Sequence, residues 1–154
     1  LHNDPFSRRL IIDLWEPEHA HNAALPPCLY SYQFDVRVVD ETKYISCMMT
    51  QRSSDVYTAG GWNVATGALL TIMLAHIANM KPDRLIWNIG NVHIYRNLLS
   101  QVEELLDANR RPYAFPKLFL RNPPAEDITA FEFENIEVCN YHSYSAIKGG
   151  VINV

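Results

Sequence analysis

The sequence has no excess of positive charge. Its 154 residues hold 13 Lys and Arg against 17 Asp and Glu, a formal net charge of −4. A surface that coats nucleic acid needs a basic excess, so DNA is not an expected partner. A local basic pocket for one phosphate remains compatible with that balance. Cysteine is scarce and unpatterned: Cys28, Cys47 and Cys139 form an odd set with no CxxC, which suggests neither a disulfide framework nor a zinc site. His2, His19, His21, His76 and His142 lack metal-ligand spacing, and no metal is expected. No apolar run reaches the ~20 residues of a membrane helix. The longest, 64–78, is interrupted by Thr66, Thr71 and His76. Asp4, Arg8 and Arg9 stand where a signal peptide needs an apolar core. A reducing, cytoplasmic setting without a membrane partner is the expectation. The chain opens on Leu1 rather than methionine, and it shows no internal repeat or low-complexity segment.

What is present suits one globular domain over residues 1–154, since 48% of residues are hydrophobic and only 19% charged. Residues 10–15 read as a buried strand. From Tyr30 to Val39, Tyr30, Tyr32, Phe34, Val36 and Val38 alternate onto one face, a strand with one side in a core. A polar turn at 40–43 leads to a hairpin partner at 44–51. Residues 53–61 read as a loop whose Gly60-Gly61 permits unusual backbone angles. Trp62-Asn63 leads into a helix that is apolar on nearly all faces, as a central buried helix is, and Lys81-Pro82-Asp83 ends it. Strands are expected at 85–89, 115–120 and 136–141, an amphipathic helix at 97–108, and a helical turn within 128–133. The pattern shows no βαβ regularity. It predicts an α+β fold, a mixed β-sheet packed by the central buried helix and further helices.

One cysteine is placed for chemistry. Cys28 follows Pro26-Pro27 at the mouth of the aromatic strand, a stiff loop position of the kind that carries function. A small core residue is the competing reading. A thiolate nucleophile needs a nearby cation, and Arg52 supplies one if the two strands pair. Cys47 and Cys139 lie in apolar strands and belong to the core. Arg52-Ser53 offers a fork donor beside a hydroxyl, a phosphate-binding pair. Arg8-Arg9 is either a solvated turn or an anion clamp. Asn63 is either a helix cap or a reader of a base edge, because its amide both donates and accepts. His93 and Tyr95, two apart, would face one side of a strand. They are either a satisfied core pair or a pair for sugar hydroxyls.

Order and spacing add more than any one motif. Leu25-Pro26-Pro27-Cys28 with Gln33-Phe34, then Gln51-Arg52-Ser53-Ser54-Asp55, Trp62-Asn63-Val64-Ala65 and Gly90-Asn91-Val92-His93-Ile94-Tyr95 closely resemble the thymidylate synthase family. Ser7-Arg8-Arg9, Arg111-Pro112 before Pro116-Lys117-Leu118, and Tyr141 near a short apolar end match in the same order. The resemblance implies reductive methylation of dUMP to dTMP with 5,10-methylenetetrahydrofolate as co-substrate. It implies that Cys28 attacks uracil C6. Arg52 and Ser53 would hold the phosphate, with Arg52 also favouring the thiolate. Arg8 and Arg9 would reach the phosphate of the neighbouring subunit in a homodimer. Asn63 would select uracil, and His93 and Tyr95 would take the deoxyribose hydroxyl. Asp55, Trp62, Ile152 and Asn153 would line the folate site.

The resemblance has gaps. Roughly the first hundred residues of a normal-sized family domain are not represented, so a complementing N-terminal chain or segment is expected. Leu29 stands where the family has histidine, Ala59-Gly60-Gly61-Trp62 replaces a glycine-leucine-proline-phenylalanine loop, and Asn91 replaces aspartate. Two other functions stay open: a pyrimidine-nucleotide hydroxymethylase acting on dUMP, and a non-catalytic nucleotide- or RNA-binding relative.

Overall fold

A computed structural model describes residue 1 and residues 3–149. The chain divides into two compact units, Leu1–His93 and Ile94–Val154. The first is built on a four-stranded sheet in the order β1-β2-β3-β4. Strand β1 (Ile11–Asp13) pairs antiparallel with β2 (Leu29–Val39). Strand β2 pairs antiparallel with β3 (Thr42–Asp55), and β3 pairs parallel with β4 (Lys81–His93). The connection from β3 to β4 is helix α1 (Gly60–Ile77). The sheet is therefore mixed and the arrangement α+β, with one βαβ crossover that the sequence pattern did not disclose.

The alternation in β2 holds where a helix covers it. Tyr32, Phe34 and Val36 are buried with Ile45, Cys47 and Met49 of β3 and Ala75 of α1. The large apolar members, Phe34, Val36, Ile45 and Met49, contribute roughly 1.5–3 kcal/mol each by leaving water. Val38, next on the same face, is 51% exposed beyond that cover. The β2–β3 turn is Asp40-Glu41, both at positive φ (46° and 63°). Two left-handed residues are the geometry that lets a two-residue turn follow the right-handed twist of a hairpin.

Helix α1 starts earlier than its sequence suggests. Residues 56–59 form the whole connection after β3. Gly60 and Gly61 are helical, and neither has positive φ. Gly60 is required for space instead: a Cβ there would lie 3.0 Å from Cη2 of Trp87. Gly67 is similarly tight, since a Cβ there would stand 3.2 Å from both Leu85 Cδ1 and Met49 Sδ. Gly60, Gly67, Thr71 and Ala75 thus form the buried edge of α1, and the rest of this apolar helix is half-buried or exposed. Thr66 and Thr71 donate their hydroxyls to the carbonyls of Trp62 (2.9 Å) and Gly67 (2.7 Å), one turn back. Although α1 is long and apolar enough by composition to cross a bilayer, its small-residue edge packs on the sheet.

The helix ends at Ile77, where Asn79 takes a left-handed conformation (φ 51°). Lys81-Pro82-Asp83, which reads in sequence as the helix stop, already belongs to β4. Proline is tolerated there because β4 is an edge strand and its missing N–H breaks no ladder. Asp83 receives Nε of Arg37 at 2.8 Å, Nη2 of Arg37 at 3.1 Å and the Ser46 hydroxyl at 3.1 Å. That network fixes β4 against β2 and β3 on the sheet face opposite α1. Strand β1 is shorter than residues 10–15 and not buried: Ile11 is 55% exposed on the other sheet edge.

In the second unit, a 3-10 turn at Arg96–Leu98 runs into helix α2 (Leu99–Leu105), shorter than the expected 97–108. Strands β5 (Lys117–Leu120) and β6 (Ile136–Cys139) pair antiparallel. Short 3-10 turns at Ile128–Ala130 and Phe133–Asn135 connect them. Arg121 pairs with Glu137 beside that ladder. Arg110 joins Glu104 (2.9 Å) to the Ser145 carbonyl (3.0 Å) and lies over the Tyr144 ring.

Candidate active site

Cys28 is the last residue before β2 and is half-buried. The pairing that its chemistry needs is present. Leu29 lies opposite Gln51, and the N–H of Arg52 donates to the Cys28 carbonyl at 2.9 Å. A register shift between Leu29 and Ser31 leaves Tyr30 outside the regular ladder and bends the strand beside Cys28. The Arg52 side chain then turns back onto the loop. Its Nε donates to the Pro27 carbonyl (3.1 Å) and its Nη2 to the Pro26 carbonyl (2.9 Å). The guanidinium carbon is 6.0 Å from the Trp15 ring centroid. Two prolines restrict φ, and one arginine fixes both their carbonyls. The backbone presenting Cys28 is thus held from β3. Trp15, Tyr30 and Arg52 line a cleft of about 240 Å³.

The other cysteines separate by environment. Cys47 is fully buried in β3, and burial pushes its thiol up while a hydrogen bond to Thr71 partly offsets this. A buried, protonated thiol is a poor nucleophile, which agrees with its place in the core. Cys139 is half-buried in β6, with its thiol pushed up chiefly by the Glu137 carboxylate.

A second group of polar residues gathers at the carboxyl ends of β3 and β4, where parallel strands commonly present ligand-binding residues. Ser53 lies opposite Asn91 and Asp55 opposite His93. The Ser53 hydroxyl is 3.5 Å from Nδ1 of His93, and the Asn91 side-chain oxygen is 3.0 Å from that same nitrogen. Asp55 is buried at 7% exposure. Its carboxylate accepts the Tyr57 N–H (3.1 Å) and the Thr58 hydroxyl, and its carbonyl accepts the Ala59 N–H (3.0 Å). Asp55 therefore shapes the tight entry to α1, while its remaining lone pairs keep accepting capacity.

Asn63 is not the helix cap. Ala59 holds that position without a side-chain bond, and Asn63 sits inside the first turn, its N–H on the Ala59 carbonyl at 3.0 Å. Trp62, in the same turn, is 78% exposed. Arg8 and Arg9 are exposed in the turn before β1, where the Ser7 hydroxyl accepts the Arg9 N–H. The strand argument for His93 and Tyr95 fails for the second residue. Strand β4 ends at His93, and Tyr95 precedes the 3-10 turn of the second unit. Ile152 and Asn153 lie outside the described residues.

Gln51 stands in one of the family-like motifs, yet sequence reasoning assigns it no role. It is 1% exposed, its side-chain oxygen accepts the Trp87 indole N–H, and its Nε2 is buried without a partner among the described residues. Ser54 Oγ is in the same condition. Buried polar groups are normally paired, so these two are exceptions, in the strand that also carries Arg52 and Ser53. The signal in sequence was its phase: Gln51 continues the buried series Ile45, Cys47, Met49. No cluster of three metal-ligating side chains occurs among the described residues.

The sequence model of one family, described as thymidylate synthase, matches residues 1–153. The thymidylate synthase of Malacoplasma penetrans (strain HF-2) is 40% identical over 146 residues, which cover 95% of this chain and 48% of that protein. The chain therefore spans about half the length of that curated relative. With residues 1–153 matched as a whole, the chain belongs to the thymidylate synthase family.

Proposed function

We propose that the chain forms the cysteine-bearing portion of an enzyme that methylates dUMP to dTMP with 5,10-methylenetetrahydrofolate. The observation that carries this reading is the Cys28 loop, held through Pro26 and Pro27 by Arg52 of the neighbouring strand, within a family match over residues 1–153.

In this reading the Cys28 thiolate adds to uracil C6 and leaves the electron pair as an enolate at C5. That carbon bonds to the methylene group carried on the folate nitrogen, loss of the C5 proton expels that nitrogen as tetrahydrofolate and leaves an exocyclic methylene, and hydride from the tetrahydrofolate reduces it to the methyl as Cys28 leaves, giving dTMP and dihydrofolate. Covalent addition divides a difficult substitution into easier steps. Arg52 has N–H groups beyond the two on the proline carbonyls. With Ser53 these bind the phosphate, whose remote binding energy orients the base at the thiol. Arg8 and Arg9 add to the phosphate site of a neighbouring subunit in a homodimer. Asn63 reads the uracil edge, His93 and Tyr95 the sugar, and Asp55, Trp62, Ile152 and Asn153 the folate. Residues 1–154 act as one catalytic domain that a further N-terminal segment or chain completes.

The test is covalent trapping with 5-fluoro-dUMP and methylenetetrahydrofolate, with and without the unmatched half of the relative. A ternary adduct that Cys28→Ser abolishes is the expected result. No adduct under either condition refutes the catalytic reading in favour of a nucleotide-binding module. Mass spectrometry of the product from dUMP separates dTMP from hydroxymethyl-dUMP.

A further inference from the structure

We propose that Trp15 is a positioning residue for Arg52. Its indole holds the guanidinium at the cleft they share with Tyr30 without neutralising it, so that the charge stays available to an anion. The inference rests on the reading of Arg52 as a phosphate ligand, which makes that anion the nucleotide phosphate.

The partners of Arg52 among the described residues are all neutral. Its Nε and Nη2 donate to the carbonyls of Pro27 (3.1 Å) and Pro26 (2.9 Å), and its guanidinium carbon lies over the Trp15 ring, 6.0 Å from the centroid. No ion pair to Arg52 occurs among the described residues. The carboxylates that flank Trp15 in sequence are turned elsewhere. Asp13 accepts the Trp15 N–H at 2.9 Å, and Glu16 lies 3.1 Å from Nδ1 of His19. The Asp13 bond also fixes the backbone of Trp15. The Leu14 N–H adds to this by donating to the Tyr30 carbonyl at 2.8 Å, which extends the β1–β2 pairing to the residue before Trp15.

An aromatic face attracts a cation through its quadrupole. Arginine takes such places readily, because its guanidinium is planar and weakly hydrated. Indole has no acceptor lone pair and no charge. Trp15 therefore restrains Arg52 while competing neither for its N–H groups nor for its charge. A carboxylate in the same place would form an ion pair and offset the attraction for a phosphate. The N–H groups of Arg52 that are not on the proline carbonyls keep their donor capacity, and Arg52 lines the cleft. The ligand feature favoured through Trp15 is thus the negative charge of the nucleotide, distinct from its base and sugar.

Two measurements on the full chain test this. Trp15 lies outside the hydrophobic core cluster, so neither substitution used here empties the core. The first measurement is hydrogen exchange at the Arg52 Nε–H, assigned as the ¹H–¹⁵N resonance that Arg52→Lys removes. An exposed cation–π contact favours the held state by about two- to fivefold. Exchange should speed up by about that factor in Trp15→Leu, which keeps an apolar side chain without a ring. It should stay closer to wild type in Trp15→Phe, which keeps a ring face. Wild-type exchange in Trp15→Leu overturns the proposal, and equal acceleration in both variants does so too, because it assigns Trp15 a packing role. The second measurement is the ratio of affinities for dUMP and uncharged 2′-deoxyuridine by NMR titration. The ratio should fall by about two- to fivefold in Trp15→Leu and be largely retained in Trp15→Phe. General loosening of the loop would weaken both ligands together, and an unchanged ratio in Trp15→Leu overturns the link to the phosphate. If dUMP fails to bind while the exchange pattern is as expected, the phosphate reading of Arg52 falls and the hold of Trp15 on the guanidinium stands.

Discussion

Gly90 is where β4 comes closest to the residue that organises the candidate site. A methyl group added there would lie 2.9 Å from the Arg52 carbonyl oxygen and 3.6 Å from the Arg52 carbonyl carbon. Ordinary carbon–oxygen approaches between strands are about 3.3–3.6 Å. The obstacle is backbone, so no rotamer change relieves it, and β3 and β4 must part by several tenths of an ångström. Such overpacking costs about 1–3 kcal/mol. Replacing a strand glycine returns roughly 0.5–1 kcal/mol through the unfolded chain. Gly90→Ala should therefore destabilise residues 1–93 by about 0.5–2 kcal/mol. Gly61 supplies the opposite case. It is helical, and nothing lies within 4 Å of its added Cβ, so Gly61→Ala should stabilise by about 0.8–1 kcal/mol. Urea unfolding followed by tryptophan fluorescence reads the right unit, because Trp15, Trp62 and Trp87 all lie within it. With a slope of about 1–3 kcal/mol per molar urea, the two midpoints should separate by roughly 0.5 M or more, with wild type between them. A Gly90→Ala midpoint at or above wild type, with unchanged slope, would refute the claimed approach of the strands.

Acid should weaken the first unit through Asp83. The Arg37 guanidinium chiefly, with help from the Ser46 hydroxyl and against the pull of burial, holds this carboxyl below its ordinary value. Its folded pKa lies below the unfolded one, so its stabilisation is complete above the unfolded value of about 3.9 and fades as pH falls through the folded value. Arg37→Leu should flatten that limb in tryptophan-monitored urea melts taken from about pH 6 down to pH 2; an unchanged limb would exclude Asp83 as its source. Native protein treated with iodoacetamide should be alkylated at Cys28 before Cys47, which should react only in urea; mass mapping that finds Cys47 first would contradict its burial. Glu41→Gly should raise stability by about 0.5–1 kcal/mol, since Glu41 holds a left-handed conformation that glycine adopts without steric penalty. A lower melting temperature would show that the Glu41 side chain supports the turn in some other way. Arg52→Lys should loosen the Cys28 loop as well as weaken dUMP binding, because a lysine cannot reproduce the fork on two carbonyls; hydrogen exchange of residues 25–30 that matches wild type would reject the anchoring role.

The hairpin was legible because period-2 alternation from Tyr32 to Val36 and a polar 40–43 turn are local signals. Cys28 and Arg52 could be joined from sequence for the same reason, since a hairpin relates its two strands by simple counting. The start of α1 was hidden because Gly60-Gly61 carries a breaker signal locally, while its actual use depends on Trp87, which is remote in sequence. Pro82 misled in the same manner: it reads as a stop unless one knows that β4 lies at an edge. The meeting of Ser53, Asn91 and His93 depends on parallel register across α1, which no spacing in the sequence encodes. Tyr95 was grouped with His93 by an alternation that the strand does not continue, since β4 ends two residues before it.

The placement of β4 also bears on handling the protein. Among the described residues it has no strand beside it on its outer side, and it is 13 residues long. Its first residues are guarded: Pro82 offers no N–H, and Lys81 and Arg84 place charge there. No such gatekeeper stands between Ile86 and Val92, which are 49% and 60% exposed. Self-association of purified chains should therefore begin on that stretch, and a single lysine at Ile86 or Val92 is the substitution that should suppress it.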